Sequence, residues 1–181
     1  MRVITGTARG RKLVTPPGKD VRPTTDMVKE AVFSILQNDV PGSRVLDLFA
    51  GSGQLGIEAL SRGAISATFI DDSRESIACI KENLKTTGFS AQSSVAMMDS
   101  IGFLRRGGQK FDIILLDPPY KKGILDEALP LALEMLEPNG VAVCETDVRE
   151  VLPEGNESFK IYREYRYGKI KLTVYRAVAE G

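Results

Sequence analysis

Arg44-Val45-Leu46-Asp47-Leu48-Phe49-Ala50-Gly51-Ser52-Gly53-Gln54-Leu55-Gly56 is the stretch that decides the fold. Its first six residues are an apolar run broken by one internal acid, the pattern of a strand buried on both faces. Glycines then fall at 51, 53 and 56, and a helical run continues through Leu60 to a stop at Gly63. Strand, glycine loop and helix form the first half of a nucleotide-binding βαβ unit. There the glycines let the backbone approach a ligand closely at a helix N-terminus. G-x-G-x-x-G spacing is widespread, so its meaning rests on what surrounds it.

Downstream the alternation repeats. Ala67-Thr68-Phe69-Ile70 reads as a second strand ending in Asp71-Asp72, and a helix from Arg74 to about Thr87 presents Ile77, Ile80 and Leu84 before Gly88 stops it. Val95-Ala96-Met97-Met98 is a third strand ending at Asp99, with a short helix from Ile101 to Arg106. Phe111-Asp112-Ile113-Ile114-Leu115-Leu116 is a fourth, closed by Asp117-Pro118-Pro119-Tyr120. Leu125, Ala128, Leu129, Ala132, Leu133 and Leu136 then recur at helical period, with Pro130 expected to kink or shorten that helix. Asn139-Gly140 turns into a strand at Val141-Ala142-Val143-Cys144. The tail alternates through Phe159, Ile161 and Tyr165, turns near Gly168 and returns through Ile170, Leu172 and Val174, an antiparallel hairpin at the sheet edge.

Upstream, β-prone runs at Val3-Ile4-Thr5 and Lys12-Leu13-Val14-Thr15 flank a glycine-bearing basic loop, predicting a hairpin that Pro16-Pro17-Gly18 ends. Arg22-Pro23-Thr24-Thr25-Asp26 supplies N-cap candidates for an amphipathic helix to about Asn38, which Pro41-Gly42 closes. The expected fold is α/β and Rossmann-like: a mostly parallel central sheet with helices on both faces, an antiparallel C-terminal hairpin and an N-terminal β-hairpin extension. Residues 1–22 form the arm, and residues 23–181 the main domain.

A chain of 181 residues, 43% hydrophobic and 27% charged, fits one globular domain with a small extension. No apolar run reaches membrane-spanning length and no apolar signal region opens the sequence, so a cytoplasmic protein is expected. Cys79 and Cys144 sit in apolar patterns and read as reduced buried thiols. Histidine is absent, which excludes a Ser-His-Asp triad, a His-paired cysteine nucleophile and any His-ligated zinc site. Net charge is zero, yet residues 1–29 hold Arg2, Arg9, Arg11, Lys12, Lys19, Arg22 and Lys29 against only Asp20 and Asp26. A basic arm on an acidic body points to a polyanion held at one end; the alternative is a solvated basic terminus.

Asp71, at the end of the second strand, stands where an acid accepts both hydroxyls of a ribose, and Asp99 is placed to accept from an adenine amino group. NAD and S-adenosylmethionine both carry an adenosine and would both use this arrangement. Two features separate them. The chain has no room for the second domain most dehydrogenases use, and Asp117-Pro118-Pro119-Tyr120 suits methylation of an exocyclic amine. The Asp117 carboxylate and the Pro118 carbonyl can accept the amine hydrogens and aim its lone pair at a sulfonium methyl, while Tyr120 stacks on the base. A paired base must leave the stack to be reached. This chemistry calls for no metal. Read only as punctuation, the same tetrapeptide is a proline turn ending a strand.

These motifs resemble those of class I S-adenosylmethionine-dependent methyltransferases, and more narrowly the RsmD-like family of bacterial 16S rRNA guanine-N2-methyltransferases. The resemblance covers essentially the whole chain. It rests on Val3-Ile4-Thr5-Gly6, Arg9-Gly10-Arg11-Lys12-Leu13, Arg22-Pro23-Thr24-Thr25-Asp26, Asp47 through Gly53 with Leu55 through Gly63, and Asp117-Pro118-Pro119-Tyr120. It implies S-adenosyl-L-methionine held by Asp47, Ala50, Gly51, Ser52, Gly53, Asp71, Asp72 and Asp99. Asp117, Pro118 and Tyr120 would stand at the target base, and Arg9, Arg11, Lys12, Arg22 and Thr24 on rRNA. The implied partner is 16S rRNA or the small ribosomal subunit, an assembly intermediate included, bound by a monomer without metal. One departure is that relatives often carry Glu where Asp71 stands. DPPY also resembles the motif of adenine-N6 DNA methyltransferases, and a catalytically silent RNA-binding or ribosome-assembly factor would keep the same cofactor fold. The absence of a separate sequence-recognition domain counts against the first. Retention of the glycine loop, Asp71 and DPPY together counts against the second.

Overall fold

The computed structural model describes residues 1–17, 25–119 and 123–179. Its strands are β1 (Arg44–Asp47), β2 (Ser66–Asp71), β3 (Ser93–Met97), β4 (Phe111–Leu116), β5 (Leu136–Asp147), β6 (Phe159–Tyr167) and β7 (Ile170–Ala177). They form one sheet in the order β3-β2-β1-β4-β5-β7-β6. The first five are parallel, and β7 runs antiparallel between β5 and β6. The helices are α1 (Asp26–Ile35), α2 (Gln54–Ser61), α3 (Arg74–Thr87), α4 (Ser100–Arg106) and α5 (Ile124–Leu133).

The apolar strand runs feed two cores, one on each side of the sheet. Val45, Ile113, Leu115 and Val143 pack with α1, α2, α3 and the N-terminal arm, while Leu46, Ile114, Leu116 and Ala142 pack with α4 and α5. Burial on both faces is why the central strands read as continuous apolar runs rather than alternating ones. The helices change face between β1 and β4, so the crevice above the carboxyl ends of those two strands is the switch point where open α/β sheets bind ligands.

Several boundaries differ from the sequence expectation. Helix α1 stops at Ile35, short of Asn38, because the chain tightens: Gln37 N–H bonds Ser34 O and Asp39 N–H bonds Leu36 O. Pro130 lies inside α5 without ending it. That helix stops at Leu133, and Leu136, although in phase with the helical pattern, pairs with Phe111 and opens β5. Between Phe111↔Leu136 and Ile113↔Val141 the two strands fall out of step, so the expected Asn139-Gly140 turn becomes an irregularity within β5. Gly140 is required there, since a Cβ would lie 2.9 Å from the Glu137 carbonyl oxygen. The N-terminal hairpin forms with minimal pairing: one bridge, Arg2↔Lys12, flanked by Val3 N–H to Arg11 O and Leu13 N–H to Met1 O. Most of its remaining N–H groups bond to helices, not to the facing limb.

Candidate active site

Of the acids singled out from the sequence, Asp47, Asp71, Asp99 and Asp117 stand at the carboxyl ends of four neighbouring strands. Asp47 pairs with Phe69 on one side and Leu115 on the other. Asp71 and Asp117 therefore each stand two residues above Asp47, on opposite sides of β1 and roughly 10 Å apart, two strand spacings. Asp71 is opposite Met97, the last residue of β3, which sets Asp99 two residues beyond that strand.

The loop between β1 and α2 is stitched to the strands beside it. Ala50 N–H bonds Ile70 O at 3.0 Å, and Gly53 N–H turns back to Ala50 O at 2.7 Å. Asp71 Oδ2 accepts from Gly51 N–H at 2.9 Å and its Oδ1 from Ser73 N–H at 2.9 Å. A carboxylate has about four acceptor positions, so both oxygens retain capacity for ribose hydroxyls. Gly51 has φ +58, and nothing lies within 4 Å of where a Cβ would stand, leaving its outer face open to a ligand. Gly56 plays a different part: a Cβ there would lie 2.4 Å from Phe69 Cε1, so the third glycine lets α2 seat on β2. An adenosine-bearing cofactor fits this cradle.

Asp47 is 1% exposed and its Oδ2 accepts from Gly56 N–H at 3.0 Å. Gly53, the α2 N-cap, has no side chain to offer, and Asp47 supplies the missing cap from the strand below. Burial pushes its carboxyl up to about 7; the Gly56 N–H opposes this and the neighbouring Asp71 adds to it. Asp47 thus shapes the loop from beneath. Asp72 is exposed beside it. Asp99 is exposed and caps α4 through Gly102 N–H at 2.9 Å. Asp117 and Pro118 are half-buried at the end of β4. Tyr120, Arg22 and Thr24 lie outside the described residues.

The arm is fastened along α2 and α3. Glu58, fully buried on α2, accepts Ile4 N–H at 2.9 Å and Thr5 N–H at 3.0 Å, and pairs with Arg62 at 2.9 Å and with buried Lys29 of α1 at 3.8 Å. Lys29 Nζ also donates to Arg2 O at 2.8 Å. Burial lowers its pKa from the usual lysine value, and Glu58 works against that shift. At the lower end of α2, Thr7 N–H bonds Ser61 O and Ala8 N–H bonds Ser61 Oγ, at 2.9 and 3.0 Å. On the returning limb, Asn83 of α3 takes both polar groups of the Val14 backbone and also donates to Ser52 O at 2.9 Å. One amide thereby ties the arm to the glycine loop.

This changes the charge picture. Lys29, counted among the basic residues of the first 29, is consumed in the core. Arg9, Arg11 and Lys12 are exposed. The hairpin tip that carries Arg9 sits against Ser61, seven residues down α2 from Gln54 and so roughly 10 Å below the glycine loop. Sequence reading missed Glu58, Lys29 and Asn83. The signal for Glu58 was present: an acid inside Leu55-Gly56-Ile57-Glu58-Ala59-Leu60, where every residue is buried, requires partners.

Parallel order 3-2-1-4-5 with a reversed strand inserted before the edge, a glycine loop at the switch point and an acid closing β2 define a class I methyltransferase fold. By sequence the chain belongs to the family described as "Conserved hypothetical protein 95", which matches residues 1–176. It is 41% identical to "Putative rRNA methyltransferase YlbH" of Bacillus subtilis, over 97% of this chain and 98% of that one. It is 35% identical to "Ribosomal RNA small subunit methyltransferase D" of Escherichia coli K12, over 100% of this chain and 92% of that one. Among solved structures, "Putative methyltransferase yhhF" from Escherichia coli superposes with a TM-score of 0.89 at 35% identity, covering 99% of both chains.

Proposed function

We propose that the protein methylates the exocyclic N2 of one guanine in 16S rRNA, using S-adenosyl-L-methionine and acting as a cytoplasmic monomer on small-subunit material, an assembly intermediate included. The observation that carries this reading is the pairing of Asp71 and Asp117 on either side of the glycine loop, in a chain aligned end to end with a relative named for small-subunit rRNA. When bound, the cofactor supplies an electrophilic methyl on a sulfonium. The residues of this chain do the rest. Asp71 and the backbone of Ala50 to Gly53 hold the adenosine side, with Asp72 and Asp99 at its rim and Asp47 bracing the loop.

Asp117 accepts N–H groups from the guanine edge, where N1 and N2 offer adjacent donors, and the Pro118 carbonyl accepts the other amine hydrogen. Together they aim the nitrogen lone pair in line with the methyl. With no histidine in the chain, the proton shed by the alkylated amine passes to Asp117 or to water. Tyr120 stacks on the extruded base, and Arg9, Arg11, Lys12 and Arg22, with Thr24, hold phosphates, making residues 1–22 an RNA-contact arm.

The test is transfer of labelled methyl to small-subunit material from a strain lacking the gene, followed by nucleoside analysis. N2-methylguanosine at one site is expected, and Asp117→Ala should abolish it. N6-methyladenine in DNA would overturn the substrate and keep the DPPY chemistry, whereas no transfer to any nucleic acid would leave a silent binding factor.

A further inference from the structure

The sequence reading placed all excess positive charge at the N-terminus, yet residues 159–178 hold Lys160, Arg163, Arg166, Lys169, Lys171 and Arg176 against one acid, Glu164. This segment is β6 and β7; β6 is the outermost strand, its start covered by residues 154–156 through the Gly155↔Lys160 bridge and its remainder open. Aromatic rings alternate with the cations along it. Tyr162 is 61% exposed, with the Arg176 guanidinium 5.6 Å and the Arg163 guanidinium 5.8 Å from its ring centre, and Arg163 also lies 5.9 Å from the Tyr165 ring. Asp39 holds Arg176 through two contacts of 3.1 and 3.0 Å.

A break in register between Ile161 and Arg163 turns the strand over. Ile161 packs on the α5 side of the sheet, whereas Tyr165 and Tyr167 pack on the α1 side. There they line an open groove of about 440 Å³ with Met27, Glu30 and Ser34 of α1. Ile170, just past the β6–β7 turn, pairs with Asp147 at the carboxyl end of β5. Lys169 and Arg166 therefore stand at the same end of the sheet as Asp117, three strand spacings or roughly 14 Å away.

We propose that the β6 edge and its turn form a second RNA-contact surface, which takes single-stranded nucleotides flanking the target base. The exposed Tyr162 ring stacks on a nucleobase, Arg163 on the α1 side and Lys169 in the turn pair with phosphates, and Arg166, on the other face of the strand and 3.9 Å from Glu164, adds its charge from across the edge. The proposal rests on the rRNA reading above. Charge complementarity selects the occupant: an exposed ring framed by guanidinium groups on a basic edge is how sequence-tolerant single-strand surfaces are built. Arm and edge flank α1 on one side of the sheet, so a strand held by both would pass over α1.

The experiment measures binding of the full chain to small-subunit particles, and to a single-stranded RNA spanning the modified site, at several salt concentrations. Wild type is compared with Tyr162→Ala, the triple change Arg163→Ala/Arg166→Ala/Lys169→Ala, and the triple change to Lys, Lys and Arg. Tyr162→Ala should bind about 5- to 100-fold more weakly. The triple alanine variant should flatten the log–log salt slope by up to about 2, and the charge-conserving triple should recover most of that slope. Affinity for S-adenosylmethionine, unchanged in all three, certifies that they fold.

Equal RNA affinity and salt slope in wild type and variants, with wild type still methylating rRNA, would overturn this surface and leave the substrate reading intact. Absence of RNA binding by wild type would overturn both. Loss of a dimer in Tyr162→Ala, with RNA affinity unchanged, would assign the edge to a second copy of the chain instead.

Discussion

The N-terminal turn of α2 and the middle of the same helix are each served by a buried carboxylate that accepts backbone N–H groups, and the two are compensated in opposite ways. Asp47 takes one N–H, has an acid for a neighbour and is driven up to about 7. Glu58 takes two N–H groups and is framed by Lys29 and Arg62. The difference follows from what each holds. Asp47 braces a loop whose outer face must stay open to a polar ligand, whereas Glu58 closes a permanent seam between the arm, α1 and α2. Basic residues near the N-terminus thus divide into those spent inside the protein and those left outside for a partner.

The sharpest way to break this contrast is Glu58→Ala. It strands a buried lysine and two N–H groups at once, so a loss of roughly 3–5 kcal/mol is expected in urea unfolding. The double change Lys29→Met/Glu58→Leu should return part of that, since it removes the buried lysine charge, although Ile4 N–H, Thr5 N–H and Arg62 still lose their acceptor and Arg2 O loses its donor. A loss under about 1 kcal/mol for Glu58→Ala would show that the seam is held by apolar contact alone.

In the N-terminal turn of the helix, Gly56→Ala forces a methyl into the Phe69 ring and should cost about 1–3 kcal/mol. The same shift lifts the loop, so cofactor affinity falls with stability. Adding Phe69→Leu opens the space and should restore both; restoration of neither would mean that the strain is in the backbone.

This pair also shows what the sequence made legible. The β1–loop–α2 unit and the acids closing β2 and β4 are local: each is read from a run, a glycine spacing and a strand-ending residue. The seam is not local, because Ile4 and Glu58 are 54 residues apart and nothing in either neighbourhood names the other. A buried acid announces that partners exist without saying which. Helix and strand ends failed for a related reason. Leu136 continues the helical period of α5, yet the ladder to Phe111 outcompetes one more turn. The basic β6 edge escaped attention because a zero net charge and one obvious basic terminus made the remainder look uniformly acidic.

Asp47 supplies a pH test of the same comparison. Its folded pKa lies above the unfolded value of 3.8, so its charged form is disfavoured by folding. The stability tied to it is fully present below about pH 4 and is lost as pH rises toward 7, at about 1.4 kcal/mol per unit. Asp47→Asn keeps an acceptor for Gly56 N–H and removes the titration. The stability of the variant relative to wild type should therefore climb between pH 4 and 7 and level off above. A difference that stays flat across this window would mean that Asp47 ionises as freely as a surface acid.

The smallest effect on stability is expected from the exposed cations of the arm. Arg9, Arg11 and Lys12 lie outside the seam, and their joint replacement by Ala should shift unfolding by less than about 0.5 kcal/mol. Their effect should appear only with RNA, as weaker binding and a salt slope flatter by up to about 2, with cofactor affinity untouched. Because the tip sits well below the glycine loop, the triple change should raise KM for small-subunit particles and leave kcat near wild type. A fall in kcat at unchanged KM would place these residues at the reacting base. In that case the tip would have to leave Ser61, and Ser61→Ala, which loosens it, should then raise kcat.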